Sequence, residues 1–457
     1  MPRITLIGGG SYQWAPRLLV DIANTSVLHD AEIVIEDIDP VPVPRMVELV
    51  EHIAKVRGIG VRAVGTTDQR EALSGADFVV VCISTGGFES MRPDLEIPER
   101  YGIRQSVGDS VGPGGIIRAQ RNIPVFLDIA RDMQELCPDA WLLNVTNPMT
   151  TICRSVTRES SIRTVGLCHE ITIMQFMFSL LLDAGFMDLT PTVAGVNHLP
   201  FVTSLDVKGD DGFALLRDLL EHADERADEP LPFALPEGLG HDKISEGAEW
   251  TKADLLHHNQ LKLEMFRRFG VLPGAGDRHV AEFFPGFLTE ESGWGKRWGV
   301  ALTRIEERER DHFGYIADFE KMLASDEVDT MPSGEMVAPV IRCLMEDQPG
   351  WFPLNIPNHG QVADLPDDVV VESMCIVDGN GVRGRDSATL PEAMADALRR
   401  VSVSQELTVE AAVEGSRDTV FEAMLTDPFA GRIDYDALGR MTDEMLAATK
   451  RWLPQFT

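Results

Sequence analysis

Hydrophobic positions in the first 170 residues alternate between short apolar runs and longer segments with helical spacing. Between these runs, residues 43–58 and 116–138 repeat their apolar positions as helices do, and Gly58 is placed to end the first of them. Strands that alternate with helices in this way predict an α/β fold with a doubly wound parallel sheet. The apolar runs that predict buried strands lie at residues 3–7, 31–39, 77–84, 140–148 and 164–168.

The pattern changes after about residue 195. Residues 195–209 predict one longer strand, residues 223–247 predict a loop, and residues 350–390 predict an antiparallel segment with a Gly-Asn-Gly turn. Helical spacing returns at residues 249–270 and 335–347, and it dominates the last 65 residues. We therefore predict two domains, at residues 1–195 and at residues 196–457, the second of mixed α/β type with a substrate-binding and oligomerisation role.

Composition adds limits on size, partners and compartment. The chain has 457 residues, of which 44% are hydrophobic and 25% charged, so two sizeable cores are possible. A net charge of −32 disfavours nucleic acid and anionic membranes as partners. The six cysteines show no paired spacing, the first residues enter a strand directly, and no apolar run approaches the ~18 residues of a membrane span. These observations predict a reduced, cytoplasmic protein.

A glycine-rich turn between the first strand and the first helix is the earliest sign of chemistry. Gly8, Gly9, Gly10 and Ser11 give the pattern G-x-G-x-x-Q, with Gln13 where a third glycine is usual. Small residues at this place let backbone amides approach a pyrophosphate at the helix N-terminus. A tight turn without a ligand is the alternative.

An acidic residue at the end of the second strand strengthens the nucleotide interpretation. Asp37 is best placed to bind the ribose hydroxyls, with Glu36 and Asp39 as rivals. Because an acid here would repel a 2′-phosphate, the pattern favours NAD over NADP. The glycines, their position and the acid together predict a Rossmann-like domain that binds NAD.

Two isolated residues, Cys168 and His198, lie next to predicted strands near the sheet edge where ligands bind. Taken singly, each is more often an ordinary core residue than a ligand. One thiolate and one imidazole together suit a divalent ion such as Mn²⁺ or Zn²⁺ and leave positions for substrate oxygens. We therefore predict an exchangeable catalytic metal.

Several segments, taken in order, resemble glycoside hydrolase family 4, the NAD- and Mn²⁺-dependent glycosidases. They cover the chain from residue 4 to about 367. The segments are ITLIGGGSYQWAP, DLEIPERYGI, SVGPGGIIRAQRNIPVFLDIARDM, NVTNPM, GLCHE, GVNHLPFV, GDRHVAEFFP, SGEMVAPVI and LNIPNHGQVADLP.

The resemblance implies an unusual hydrolysis and a two-domain architecture like that of lactate and malate dehydrogenases. In this family NAD⁺ transiently oxidises C3 of the sugar, a base removes the acidified C2 proton, and the glycosidic oxygen is eliminated. Water then adds to C1 and the hydride returns. The resemblance also implies a small-molecule sugar substrate and a homodimer or homotetramer.

The resemblance further implies roles for individual residues. Cys168 and His198 match the metal ligands, and Asn147 matches a substrate-binding asparagine, although an Asn-Pro turn would explain it too. His169 would contact the sugar or assist the leaving group. Asp277 would be the base at C2, with His279 as rival. Many members use a tyrosine as base, but no tyrosine lies between Tyr101 and Tyr315 here.

The residues CHEI, at the end of the fifth predicted strand, most resemble the α-galacturonidase subgroup, within members that act on unphosphorylated α-glycosides. A uronate carboxylate needs a fixed cation, for which Arg92, Arg118 and Arg278 are candidates. Two other functions remain open. One is an NAD-dependent 2-hydroxyacid dehydrogenase of the lactate/malate type, and the other is a non-catalytic NAD-binding sensor.

Overall fold

The computed structural model describes residues 1–231, 250–328 and 332–456. Its strands are β1 Arg3–Ile7, β2 Glu32–Glu36, β3 Arg62–Thr66, β4 Phe78–Val81, β5 Trp141–Asn144, β6 Arg163–Leu167, β7 Leu189–Val196, β8 Leu199–Val207, β9 Asp210–Asp211, β10 Leu272–Pro273, β11 Gly350–Pro357, β12 Val370–Asp378 and β13 Gly381–Gly384.

The α-helices of the same residues surround these strands. They are α1 Ala15–Asn24, α2 Val43–Arg57, α3 Gln69–Leu73, α4 Gly87–Arg100, α5 Gly112–Leu136, α6 Met149–Glu159, α7 Glu170–Leu181, α8 Gly212–Glu221, α9 Ala223–Arg226, α10 Lys252–His258, α11 Gln260–Phe269, α12 Asp277–Phe283, α13 Ile305–Ala324, α14 Val337–Glu346, α15 Glu392–Glu414, α16 Arg417–Thr426 and α17 Tyr435–Thr449.

The first half of the chain forms a parallel sheet in the order β3-β2-β1-β4-β5-β6. This is the strand order of dinucleotide-binding doubly wound folds. Alternate residues of β4 face opposite helical layers, because Val80 packs in the core that includes α1 and α2, whereas Val79 and Val81 pack in the core that includes α5. The α/β class predicted from the sequence is confirmed.

The strands that follow β6 along the chain continue the same sheet in antiparallel fashion. Strand β6 pairs with β11, and the order then runs β11-β12-β7-β8-β10. Strand β6 is therefore the seam between the parallel and the antiparallel half. The domain boundary expected at residue 195 stays a prediction.

Some local predictions were wrong for identifiable reasons. Strand β3 was missed because it is largely exposed and has no continuous apolar run. Residues 195–209 are not one strand, because they contain the end of β7, a turn at Asn197 and His198, and then β8. Residues 249–270 contain two helices separated at Asn259. Within the loop predicted at 223–247, residues 223–226 form α9, and most of the remainder lies outside the described residues.

The helices and the cysteines test whether the chain could cross a membrane or form disulfide bonds. Among the described helices, none combines the length and apolar character needed to cross a bilayer. All six cysteines lie in the described part of the chain, and each is a free thiol.

Candidate metal and nucleotide site

The carboxyl ends of the parallel strands carry several of the residues singled out above. Gly8 follows β1, Asp37 follows β2, and Cys168 directly follows β6. Asn147 lies between β5 and α6. In open α/β sheets this edge is where ligands bind.

The glycine turn is shaped by close backbone packing. Gly8 has φ +77°, and a Cβ there would lie 2.1 Å from the carbonyl oxygen of Cys82. The amide of Gly9 donates to the carbonyl oxygen of Glu36 at 2.8 Å. Helix α1 begins beyond the turn with no side-chain cap and no acidic residue in its first turn. Its N-terminus is thus favourable for an anion.

Asp37 lies against this turn. Its Oδ2 accepts from the amide of Gly10 at 3.0 Å, and its Oδ1 accepts from the amide of Asp39 at 2.9 Å. A carboxylate has about four acceptor positions, so two remain for ribose hydroxyls. Gly8, Gly9, Gly10, Ser11 and Asp37 together fit the ribose and phosphate parts of a dinucleotide.

His198 lies in a two-residue turn between β7 and β8 and has φ +66°. A non-glycine residue with this backbone conformation is uncommon and often marks a functional place. Its Nδ1 lies 2.7 Å from the hydroxyl oxygen of Ser110, which itself donates to Asp109 at 2.7 Å. The loop before α5 therefore fixes the ring.

Asp109, His198 and His279 come together into one cluster of possible metal ligands. One donor atom from each lies within 4.8 Å of the other two. The two imidazole rings lie 3.6 Å apart between centroids, and His279 is carried by the first turn of α12. The sequence predicts His198 as a ligand and His279 as the rival of Asp277 for the base, but nothing in it marks Asp109.

The charge states in this cluster suit a cation. Burial, and then the neighbouring His279, lower the pKa of His198 to about 3. Burial also lowers the pKa of His279. For Asp109 burial acts in the opposite direction, but the nearby His198, His279 and Arg118 hold its pKa below the ordinary value. Two neutral imidazoles and one carboxylate are the ligand forms that divalent ions require.

A divalent metal fits these residues. Nδ1 of His279 is buried and has no hydrogen-bond partner among the described residues. Two nitrogens and an oxygen suit Mn²⁺ or Zn²⁺. Cys168 is not one of the three clustered residues. Its thiol is buried, and burial, followed by the charges of Glu372 and Glu170, raises its pKa. Its role as a ligand stays a prediction.

His169 is held by an acidic residue that the sequence analysis did not single out. Its Nδ1 is paired with Glu335, which is 3% exposed, and its ring lies 6.0 Å from that of Trp14. Burial disfavours the charged ring, but Glu335 outweighs it and raises the pKa of His169 to about 9. His169 is therefore a cation at neutral pH.

Glu170 faces the same group of histidines. Its Oε1 lies 3.8 Å from Nε2 of His169 and 3.8 Å from Nε2 of His279, while its Oε2 accepts from the amide of Gly276. Although burial opposes ionisation, the histidines and this amide lower the pKa of Glu170 to about 2. The structure thus brings an ionised carboxylate to the cluster.

Asp277, predicted as the base, has other contacts. Its Oδ2 accepts from the amide of Leu261 at 2.7 Å and its Oδ1 from that of Lys262 at 3.2 Å. These bonds cap the start of α11, and burial raises the pKa of Asp277 to about 6. The structure does not bring its carboxylate into the metal-ligand cluster, whereas it does bring its rival His279.

Of the three arginines predicted to bind a uronate, one reaches the cluster. Nε of Arg118 donates to the backbone oxygen of Asn147 at 3.1 Å, and Nδ2 of Asn147 lies 3.4 Å from Asp109. Arg92 instead forms ion pairs with Glu96, Glu306 and Glu309. The guanidinium of Arg278 donates to Ser106, Ala301 and Thr303. Arg118 and Asn147 are therefore the better placed for substrate.

The fold and the site define a class of protein: a dinucleotide-type α/β protein with a partly buried cluster of candidate divalent-metal ligands near the edge of its sheet. A model of family 4 glycosyl hydrolases matches residues 3–183, and the C-terminal domain of the same family matches residues 193–430. The chain belongs to the family 4 glycosyl hydrolases, as its motifs predicted.

Individual relatives match over the whole chain. An α-galactosidase of Bacillus subtilis is 31% identical over 463 residues, which is 100% of each chain. An α-galacturonidase of Thermoanaerobacterium saccharolyticum is 32% identical and covers 98% of this chain and 96% of its own length. The crystal structure of lplD from Bacillus subtilis has a TM-score of 0.86 at 28% identity and covers 98% of this chain and 100% of its own.

Proposed function

We propose that this protein is a glycosidase that hydrolyses unphosphorylated α-glycosides, α-galacturonides foremost, with NAD and a divalent ion as cofactors. The observation that carries this proposal is the cluster of Asp109, His198 and His279 beside the His169–Glu170 pair. Relatives named α-galactosidase and α-galacturonidase, each aligned over nearly the whole chain, support the substrate class.

The residues that would hold the cofactors are those already described. Gly8, Gly9, Gly10, Ser11 and Asp37 would hold NAD, and Asp109, His198 and His279 would hold Mn²⁺ or a similar ion, with Cys168 as a further predicted ligand. When bound, NAD supplies reversible hydride acceptance at C3 and the ion supplies Lewis-acid stabilisation of the C2 and C3 oxygens.

The chain's own side chains would handle protons. Glu170 adjoins the cluster, so its position makes it a candidate acceptor of the C2 proton beside Asp277, which the family resemblance names for that role. His169 is protonated through Glu335, so it is suited to protonate the leaving oxygen or to attract a uronate carboxylate. Asn147 and Arg118 would bind the sugar from the side of α5.

The first test is aglycone release from nitrophenyl α-glycosides: galacturonide, glucuronide, galactoside, glucoside and 6-phosphoglucoside. Each is assayed with and without NAD⁺, Mn²⁺ and a thiol reductant. We expect release from the galacturonide that requires NAD⁺ and Mn²⁺ and leaves no net NADH. No release from any sugar, together with NADH formation from simple 2-hydroxyacids, would make the protein a dehydrogenase. Binding of NAD⁺ with neither activity would favour a sensor.

The proposal also includes the cellular compartment and the oligomeric state of the protein. We expect a cytoplasmic homodimer or homotetramer that acts on a small-molecule sugar. Light scattering of the purified protein tests the assembly state, and a monomer at all concentrations would contradict it.

A further inference from the structure

A row of four residues crosses the antiparallel seam of the sheet at one level. Gly166 of β6 is paired with Asn355 of β11, Asn355 with Glu372 of β12, and Glu372 with Gly195 of β7. Residues directly opposite each other on neighbouring strands share a face of the sheet. Asn355 and Glu372 therefore point to the same side, and a residue without a side chain flanks them at each end.

Asn197 joins this pair from the turn that follows β7. Asn197, Asn355 and Glu372 are 2%, 0% and 0% exposed. Burial and the charge of Glu170 raise the pKa of Glu372 to about 8, while the side-chain amides of Asn355 and Asn197 act in the other direction. Both amides thus interact with the carboxyl group of Glu372.

The terminal polar atoms of these three side chains form no hydrogen bond to a residue outside the group in the described part of the chain. Each of their six terminal nitrogen and oxygen atoms is buried and finds no partner at normal hydrogen-bond geometry within the described part of the chain. Buried polar groups in folded proteins are nearly always paired, and a buried cluster kept without outside partners needs an explanation. Nothing in the reaction assigned above uses them directly.

The position of these three residues explains why the buried cluster is kept. Asn197 is the first residue of the turn in which His198 adopts φ +66°. The backbone amide of Asn197 also donates to the hydroxyl of Thr150 on α6 at 3.2 Å. A residue in a sparsely populated backbone conformation persists only where its surroundings over-determine it. The side chain of Asn197 interacts with the carboxyl group of Glu372 on β12, and its backbone amide ties the turn to α6.

We propose that Asn197, Asn355 and Glu372 form a polar anchor that fixes the turn at residues 197 and 198 and thereby sets the affinity of the His198 site for a divalent ion. The anchor acts on the backbone of the turn, while Ser110 holds the imidazole ring of His198 through its Nδ1. Glu372 and both asparagines are positioning residues. The inference rests on the metal site of the proposed function, but not on the sugar or the reaction.

The test uses Mn²⁺ alone as the probe, on the full chain without substrate. Glu372→Met keeps the length of the side chain and removes its acceptors. Ser373→Ala is the matched control, because Ser373 is the next residue of β12, is equally buried and points to the opposite face. Free Mn²⁺ is measured by its electron paramagnetic resonance signal during titration, and thermal unfolding without metal is measured in parallel.

We expect Glu372→Met to weaken Mn²⁺ binding by about 10–100-fold, as loss of an outer-shell partner does, and Ser373→Ala to change it less than about twofold. Equal affinity of Glu372→Met and wild type would overturn the anchor. So would an equal loss in both variants, since that would follow from destabilising the strand alone. A wild-type chain that binds no Mn²⁺ would overturn the anchor and the metal site together.

If Glu372→Met does not fold, a second pair of variants tests the anchor by exchanging the acid and the amide between positions 372 and 197. Asn197→Asp places two carboxyl groups together and is expected to weaken Mn²⁺ binding. Adding Glu372→Gln restores one acid and one amide, so the double variant is expected to regain most of the lost affinity. If the double variant binds no better than Asn197→Asp, the anchor is excluded. Mn²⁺ binding that follows these expectations in a protein without glycosidase activity would retain the anchor and reject the proposed function.

Discussion

The carboxylates of Asp277 and Glu170 differ in the groups that their oxygens contact. The carboxylate oxygens of Asp277 accept hydrogen bonds from backbone amides of α11, whereas Oε1 of Glu170 faces two imidazoles. A carboxylate engaged in capping a buried helix start contributes to stability, and its loss leaves two amides unpaired. A carboxylate that faces histidines is instead available for proton transfer.

Replacement of each carboxylate by its amide separates the two roles. We expect Glu170→Gln to abolish exchange of the sugar C2 proton with deuterated water. We expect Asp277→Asn to lower the free energy of unfolding by about 1–3 kcal/mol while folded molecules still exchange the proton. Exchange is followed by NMR and stability by urea unfolding. Loss of exchange in Asp277→Asn alone, with normal stability, would instead identify Asp277 as the base.

The sequence singles out those candidate site residues that are marked by their immediate neighbours. Gly8 to Ser11 and Asp37 follow apolar strands at a known spacing, and Cys168 and His198 lie in short recognisable motifs. Asp109 and Glu335 carry no such mark, because each lies in a loop and reaches its histidine only through the tertiary fold. Arg92 is a candidate from the sequence whose side chain is already paired with carboxylates. Glu96 lies on its own helix, and Glu306 and Glu309 are distant in sequence.

At the scale of elements, buried charge links α4 to α5. The guanidinium of Arg121 donates to both oxygens of Asp94, and the two side chains are 1% and 0% exposed. Removal of one partner from such a pair leaves an uncompensated buried charge. An exposed network such as that of Arg92 contributes little, because water screens it.

We expect Arg121→Met to destabilise the protein by about 3–5 kcal/mol and Arg121→Met with Asp94→Leu to cost less than the single change. Arg92→Ala is the exposed control and should cost less than about 1 kcal/mol. Urea unfolding of the four proteins measures these differences. Equal stability losses for Arg121→Met and Arg92→Ala would contradict the importance of burial.

Asp427 joins the segment between α16 and α17 to the start of α5. Its carboxylate accepts from the amides of Gly112 and Phe429, both at 2.8 Å, and burial raises its pKa from 3.8 to about 6. Because the folded carboxyl group binds its proton more tightly than the unfolded one, its contribution is fully present below pH 3.8 and is lost as the pH rises through 6.

The difference in unfolding free energy between wild type and Asp427→Asn should therefore be larger at pH 5 than at pH 8, by about 1 kcal/mol. Denaturant titrations of both proteins at the two pH values measure it. A difference that grows from pH 5 to pH 8 would show that the carboxyl group has a depressed pKa in the folded protein.

Strands and helices could be predicted from the sequence where one face or both faces of the element are uniformly buried. Strands β1, β2, β4, β5 and β6 and helix α2, which ends at Gly58 with φ +66°, follow directly from the apolar pattern. The β7–β8 turn was missed because apolar residues continue on both sides of Asn197 and His198. A chain reversal of only two residues is too short to interrupt the apolar pattern around it, so hydrophobicity alone does not reveal it.

At the scale of the whole molecule, one sheet crosses the boundary predicted from the sequence. Strand β6, at the edge of the parallel half, is covered by β11 from the second half, and α15 near the C-terminus packs against α5 and α6. The first half alone would expose a strand edge and apolar helix faces.

We therefore expect a fragment of residues 1–195 to aggregate or to remain without cooperative structure, whereas the full chain unfolds cooperatively. Light scattering and circular dichroism during heating test this, with the full chain as control. A monomeric fragment that unfolds in a single sharp transition would establish the first half as an independent domain.

The seam at β6 also constrains how substrate enters. Backbone hydrogen bonds continue from β5 through β6 to β11 and β12, so the two halves are not joined by a linker alone. Hinge closure of two lobes, the usual way in which two-domain enzymes exclude water, would break this ladder. Gating of the site therefore falls to the loops and helix ends around it, and the spacing between the nucleotide turn and the histidines is set when the chain folds.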